Sequence, residues 1–317
     1  MKEGVLLVGE PMGLFIAQEE GPLDAVSSYS TAIAGAEYNV AVGLRRLEHK
    51  VGYLTKLGRD PFGKRILAGM KENGIGTELT TFSDEKTTGF MLKSKTSHGD
   101  PEIFYFRKGS AASTLSPEDV RDLDLSGYGV LHMTGISPAL SDSCRAAVLT
   151  LMERARAEGL FLSFDPNLRP QLWPSQADMA EFINRAAGMC DLFLPGIAEG
   201  RLLTGLDTPE EIAAFYRERG AKTVVIKLGP QGAYAFDGEN SFQVEGFPVA
   251  HVVDTVGAGD GFAVGVLSGL LENLPLSEAV RRGNAIGAIQ VMSVGDNEGL
   301  PNRTELASFM ERSGCAV

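Results

Sequence analysis

Apolar runs of strand length alternate with segments of helical period along most of the 317 residues, and this rhythm restricts the fold more than any single motif. GVLHMTG, LFLSFDPN, DLFLPG and KTVVIKLG read as strands, with CRAAVLTLMERARAEG and DMAEFINRAAGMC as helices between them. Parallel strands need a crossover long enough to hold a helix, so the pattern predicts a mainly parallel sheet with helices on both faces. AEYNVAVGLRRLEHK and PFGKRILAGMKENG, with VGYLTKLG between them, extend the plan toward the N-terminus. A chain that is 44% hydrophobic and 22% charged can bury one large core, and with no repeat or low-complexity linker, residues 1–317 are expected to form a single domain.

One region breaks the rhythm. Between Glu78 and Lys108, ELTTFS, TGFMLKSK and EIFYFRK follow one another without a helix, which predicts antiparallel ribbons projecting from the main sheet as a lid. In EIFYFRK a period of two sets Ile103, Tyr105 and Arg107 on one face and Phe104 and Phe106 on the other. Alternation alone leaves open whether Arg107 serves a ligand or is a solvated arginine at a dimer edge.

The net charge of −12 would repel polyanions, and no basic run offsets it, so nucleic acid and anionic membrane are poor partners. Cys144, Cys190 and Cys315 have no paired spacing, which fits neither a zinc site nor a disulfide framework. Together with a start, MKEGVLLVGE, that reads as a strand rather than a signal core, they suggest the cytoplasm.

DTVGAGDGF, residues 254–262, stands where a strand-like QVEGFPVAHVV hands over to the helix FAVGVLSGLL. Glycine inside a helix costs about 1 kcal/mol relative to alanine, so something other than helix stability selects Gly257, Gly259 and Gly261. A helix N-terminus offers unpaired N–H groups and the positive end of the helix dipole, and absent side chains let a phosphate come close. A tight connection needing positive φ would also use glycine. A P-loop reading fails because the Gly63-Lys64 pair is followed by Arg65, and a dinucleotide fingerprint fits no better, since Phe262 stands at the third small position and the motif comes late in the chain, which disfavours a dehydrogenase. Asp260 inside the turn would take a proton from a hydroxyl attacking bound phosphate, although a helix N-terminus should make it a weak base at rest. Asp254 would hold a second hydroxyl or simply cap the turn.

DTVGAGDGF with its helix resembles the signature of the ribokinase-like (PfkB) carbohydrate kinases, and the resemblance covers essentially the whole chain. It implies a three-layer α/β/α sandwich with a small projecting β-sheet lid, whose strands are inserted at about 12–32 and 78–108. It also implies ATP and Mg²⁺ as cofactors. Gly257, Ala258, Gly259 and the Asp260 backbone would form the anion hole, with Asp260 as base. AGAEYNVAVGLRRL resembles the sugar-contacting segment, giving Gly35 and Asn39. KLGPQGAY resembles the turn beside the nucleotide, giving Lys227, Gly229 and Gly232, and NAIGAIQV the helix beside the adenine, giving Asn284.

Within the family, FYFRKGSAAS, FDPNLRPQLW and GDNEGLP are most similar to kinases of 2-dehydro-3-deoxygluconate, which implies phosphorylation of that sugar acid at its terminal hydroxyl. A guanidinium binds a carboxylate through two parallel hydrogen bonds, so Arg107, beside Tyr105, and Arg169 would recognise the acid group. An ion pair, for instance with Asp165, is the competing use of either arginine. A fructokinase-like or other ketose kinase would share the anion hole and base, and a non-catalytic sugar-acid sensor the scaffold. Members commonly carry Asn-x-x-Glu near the magnesium network. Here Gly196 takes the asparagine position and Glu199 is kept as an indirect metal contact, while Phe90 stands where a tyrosine is common. The apolar ribbon IFYF suggests homo-oligomers paired through their lids.

Overall fold

The computed structural model describes residues 3–96, 101–293 and 295–313; Cys315 lies outside them, as do residues 97–100 of the expected lid. The N-terminal half runs β1 (Gly4–Val8), β2 (Met12–Glu20), β3 (Tyr29–Ala34), α1 (Ala36–Arg46), β4 (Lys50–Gly58), α2 (Pro61–Glu72), β5 (Thr80–Ser83), β6 (Phe90–Lys95), β7 (Ile103–Phe106) and α3 (Pro117–Arg121). It continues through β8 (Val130–Thr134), α4 (Asp142–Ala157), β9 (Phe161–Asp165), α5 (Gln176–Ala187), β10 (Leu192–Phe193), α6 (Ile197–Thr204) and α7 (Pro209–Glu218). Last come β11 (Thr223–Lys227), β12 (Ala233–Phe236), β13 (Ser241–Val244), α8 (Ala258–Leu271), α9 (Leu276–Gln290) and α10 (Arg303–Arg312).

The large sheet has the order β13-β12-β11-β10-β9-β8-β1-β4-β5. Its pairs from β11 to β5 are parallel, and only β11–β12 and β12–β13 are antiparallel. Alternation along β1 decides the layers: Leu6 and Val8 pack against α3 to α7, while Val5 and Leu7 pack against α1, α2, α8, α9 and α10. Removing each such side chain from water contributes roughly 1.5–3 kcal/mol, and both faces of the central strands share in it. Cys144 and Cys190 are buried and free, consistent with packing. Among the described residues no helix is long and apolar enough to cross a membrane.

The small sheet has the order β3-β2-β6-β7. Two sequence expectations change here. ELTTFS is not a ribbon of the lid: β5 lies parallel to β4 at the edge of the large sheet, with Thr55 beside Thr80, because α2 supplies the crossover that a parallel pair needs. The small sheet is also not wholly antiparallel, since β2 and β6 run side by side in the same direction. Ile103 and Tyr105 are half-buried and Phe104 and Phe106 exposed, as period two requires.

The strand-like QVEGFPVAHVV is ordered as a strand only to Val244. Pro248 has no N–H to continue a ladder, and the chain reaches Asp254 as an extended segment whose Val253 N–H donates to the Val291 carbonyl at 2.7 Å. Asp254 therefore does not end a strand.

Candidate active site

The carboxyl ends of parallel strands leave carbonyl-rich loops, and ligands of open α/β sheets gather there. In this protein the loops after β1, β9 and β11, the start of α8 and the inner face of the small sheet enclose a cavity of about 290 Å³. Gly35, Asn39, Tyr105, Arg107, Arg169, Glu199, Lys227, Gly257, Gly259 and Asp260, which the sequence scatters over more than two hundred residues, all line it.

The three glycines of the turn have three different reasons. Gly257 is the N-cap of α8 with φ 78°, and a Cβ there would come within 2.2 Å of the Asp296 carbonyl oxygen. Gly261 packs α8 against α9, where a Cβ would meet Ile286 at 3.2 Å. At Gly259 the nearest atom to an added Cβ is the Lys227 Nζ at 3.7 Å, so the protein itself does not demand glycine. The space it leaves belongs to the cavity, at the end of a helix whose cap carries no side chain. Ala258, the first residue of the helix, does not line the cavity with its side chain; its N–H makes a long 3.4 Å bond to the Thr255 carbonyl.

Asp260 sits in the first turn of α8. Its Oδ2 accepts from Asn39 Nδ2 at 2.7 Å and its Oδ1 from Asn167 Nδ2 at 3.4 Å. The weak-base expectation is overturned. Burial pushes its pKa up to about 7, with Asp165 and Glu37 adding repulsion, while Asn39 and Arg169 pull the other way. The desolvation that comes with enclosure outweighs the helix dipole, and the group is poised to exchange a proton near neutrality.

Lys227 donates to Asp165 Oδ2 at 2.6 Å. Burial works against its ammonium, but Asp165 and Glu199 outweigh that and hold its pKa above the ordinary value. Burial likewise raises the Glu199 pKa, opposed by Lys227. Both Glu199 oxygens are engaged, Oε1 with Leu168 N–H at 2.8 Å and Oε2 with Gly196 N–H at 2.7 Å. A Mg²⁺ carried by nucleotide phosphates keeps most of its waters, and Glu199 fits it through such a water rather than by direct ligation.

Arg107 is buried and its Nε donates to Glu10 Oε2 at 2.7 Å, with Nη2 on the same oxygen. Ser110 Oγ donates to the other Glu10 oxygen. The solvated dimer-edge reading is thus excluded. The ion-pair reading holds for Arg107 with Glu10, not with Asp165, so this arginine has a partner even without a sugar acid. Arg169 makes no ion pair among the described residues; its Nη1 donates to the carbonyls of Leu168 at 2.8 Å and Asn167 at 3.3 Å. Asn167 holds φ 37°, a left-handed conformation that asparagine tolerates and that turns the FDPNLRP loop into the cavity.

Besides Ala258, four sequence assignments sit apart from the cavity wall. Asp254 spends Oδ2 on Lys93 Nζ at 2.7 Å and Oδ1 on Val256 N–H at 3.0 Å, which is the turn-capping use rather than a free hydroxyl acceptor. Asn284 donates to the Val244 and Glu245 carbonyls at 3.1 and 3.0 Å, so its amide is consumed in holding the segment after β13. Gly232, at φ 89°, would drive a Cβ to 2.0 Å from the Val244 carbonyl oxygen. Gly229, at φ 61°, has open space instead and starts the turn beside a second, wider cavity of about 730 Å³ lined by Leu228, Pro230 and Gln231.

Sequence reading missed Glu10, Glu37, Lys93 and Asp296, all buried and charged. Glu37 accepts from Thr134 Oγ1 at 2.6 Å, and burial raises its pKa. Lys93 falls within an alternating lid strand, and its charge on an inward-facing position was the available signal.

The model of the pfkB family carbohydrate kinases matches residues 2–303. A 2-dehydro-3-deoxygluconokinase of Bacillus subtilis (strain 168) is 50% identical over 98% of this chain and 96% of its own. One from Thermoproteus tenax is 31% identical over 97% and 94%. Among solved structures, a putative ribokinase II from E. coli in complex with ATP and Mg²⁺ superposes with a TM-score of 0.90 at 27% identity, covering 98% of this chain and 99% of its own.

Proposed function

The chain belongs to the pfkB family of carbohydrate kinases, and we propose that it transfers the γ-phosphoryl group of Mg·ATP to the terminal hydroxyl of 2-dehydro-3-deoxygluconate. It is a carbohydrate kinase with a ribokinase-like fold. The observation that carries the residue-level reading is the meeting, in one cavity, of Asp260 at the start of α8 with Arg107 and Arg169.

In this reading the sugar lies with its carboxylate toward the two arginines and its far hydroxyl toward Asp260. Asp260, ionised above its pKa of about 7, orients the hydroxyl and accepts its proton as the bond to phosphorus forms. The backbone of Gly257, Ala258, Gly259 and Asp260 receives the charge that develops on the transferred group, and Lys227 adds a fixed positive charge nearby. Mg²⁺ supplies neutralisation of the polyphosphate when bound, with Glu199 acting through water. Gly229 leaves an open turn for the nucleotide, while Gly232 and Asn284 serve by shaping the backbone around it. The small sheet covers the sugar and keeps water from the phosphoryl group.

The same reading takes the protein to be cytoplasmic and to pair through its lids. Phe104 and Phe106 are 54% and 45% exposed, and Phe106 stacks on Phe90 at 4.5 Å, leaving an aromatic face on the outer side of the small sheet.

A ketose kinase is the second reading, and the Arg107–Glu10 pair favours it because a neutral sugar would not leave that arginine unpaired. ADP release with Mg·ATP separates the two, comparing 2-dehydro-3-deoxygluconate, its galactonate epimer, gluconate, fructose and ribose. Preference for the first supports carboxylate recognition. Preference for fructose or ribose keeps the kinase and removes the acid substrate.

A further inference from the structure

Lys93 is 5% exposed, on strand β6 of the small sheet, yet its ammonium reaches two loops of the main body. It bonds Asp254 Oδ2 at 2.7 Å and Asp296 Oδ1 at 3.3 Å. These loops lie on either side of the phosphate-binding turn. Asp254 is three residues before Gly257 and fixes the path of that turn by accepting from Val256 N–H at 3.0 Å. The Asp296 carbonyl oxygen is the atom pressed against Gly257. The loop carrying Asp296 is braced from behind, because Arg46 on α1 donates to the carbonyls of Asn297 and Leu300 at 2.9 and 2.5 Å.

We propose that Lys93 is a positioning residue that latches the small sheet onto the phosphate-binding turn, so that the lid holds its closed position and the turn its anion-binding shape through one buried ammonium. The inference rests on the kinase reading but not on the identity of the sugar. Without the ammonium, the buried carboxyl groups of Asp254 and Asp296 would be left beside the turn without the cation that each now contacts. Burial works against the charged amine, but Asp296 and Asp254 hold the Lys93 pKa above its ordinary value, so the latch stays charged across the physiological range. Among the described residues no other ion pair joins the small sheet to the loops that carry Asp254 and Asp296.

The test uses the full chain with whichever sugar the wild-type enzyme turns over fastest, so a wrong sugar and a wrong latch give different results. In Lys93→Met the expected result is a kcat lower by about tenfold or more, with the KM for Mg·ATP changing less than threefold. The ratio of ADP released to sugar phosphate formed should rise above one, because a lid that does not stay shut admits water to the phosphoryl group. Lys93→Arg, which keeps the charge and reach, should restore coupling. Adding Asp296→Asn to Lys93→Met should recover part of kcat by removing one carboxyl group left without its cation. Should Lys93→Met fail to fold, Asp296→Asn alone supplies the same readout, with weaker uncoupling expected. A folded variant with a lowered melting temperature but wild-type kcat and a ratio of one overturns the proposal.

Discussion

Asn39 donates from Nδ2 to Asp260 Oδ2 at 2.7 Å while its Oδ1 accepts from Asn297 Nδ2 at 2.9 Å, so its amide can take only one orientation. Asn297 also donates to the Ile33 carbonyl at 3.2 Å, which ties the arrangement to β3. Asp260 therefore receives a hydrogen bond whose direction is fixed by Asn297, a residue that is not part of the cavity wall.

The pH dependence of Asp260 follows from burial. A carboxyl whose pKa is raised to about 7 in the folded protein, against the ordinary 3.8, binds a proton that the unfolded chain has already lost. Between those values stability falls as pH rises, and Asp260→Asn removes that loss. The variant should melt above the wild type at pH 8, by a few degrees, with the gap closing toward pH 4. Its kcat should fall roughly 10²- to 10⁴-fold while nucleotide still binds by calorimetry. In the wild type, kcat/KM should rise through about pH 7. Turnover near wild type in Asp260→Asn would remove the base assignment.

Gly257 and Gly259 predict opposite phenotypes from the same change. Gly257→Ala forces a side chain into φ 78° and against the Asp296 carbonyl, so it should cost about 1–3 kcal/mol of stability, read by urea unfolding. Gly259→Ala meets only Lys227 Nζ at 3.7 Å within a helix and should unfold at the same or a slightly higher urea concentration than the wild type. It should instead lose activity, because the methyl group would enter the cavity where the proposed function seats a phosphate. Equal stability losses in both would mean that Gly259 is structural.

The two arginines should separate in a similar way. Arg169→Ala removes a cavity-lining guanidinium held by backbone carbonyls and should damage turnover of acid sugars more than neutral ones. Arg107→Ala would do so at the price of leaving Glu10, 2% exposed, without its cation, which typically costs 3–5 kcal/mol. Glu10→Gln with Arg107→Met should restore part of the melting temperature but none of the acid preference. Matching losses on acid and neutral sugars in Arg169→Ala would dispose of carboxylate recognition.

What the sequence made legible was whatever has a period or a backbone requirement. The parallel sheet followed from alternation, and the glycine turn from the cost of Gly257, Gly259 and Gly261 at a helix start. The face of Arg107 followed from period two. Pairings across hundreds of residues were not legible: nothing local says that Lys93 meets Asp254 and Asp296, or that Glu10 meets Arg107. Asp260 was misjudged for the same reason. The helix dipole is a local property, whereas the burial that overrides it comes from Asn39, Asn167 and the strands gathered around them. β5 was misplaced because its partner β4 is separated from it by the helix α2, which a reading of neighbouring segments does not bridge.

Gly196 offers the remaining test, at the position where the resembling family commonly carries asparagine. Its φ of −76° is open to any residue, and an added Cβ would meet Glu199 Oε2 at 3.2 Å, a contact that a small shift relieves. Gly196→Asn should therefore fold with an unchanged or slightly higher melting temperature, since glycine also gives up more chain entropy on folding. The new amide would stand at the N-cap of α6, beside Glu199 and close to Lys227, with which Gly196 pairs across the β11 edge. If the polyphosphate and its hydrated Mg²⁺ lie along this wall, the amide adds a donor to that network, and the KM for Mg·ATP should fall several-fold with kcat little changed. A KM that stays put in a well-folded variant would place the nucleotide elsewhere along the wall and leave Glu199 as a helix cap alone.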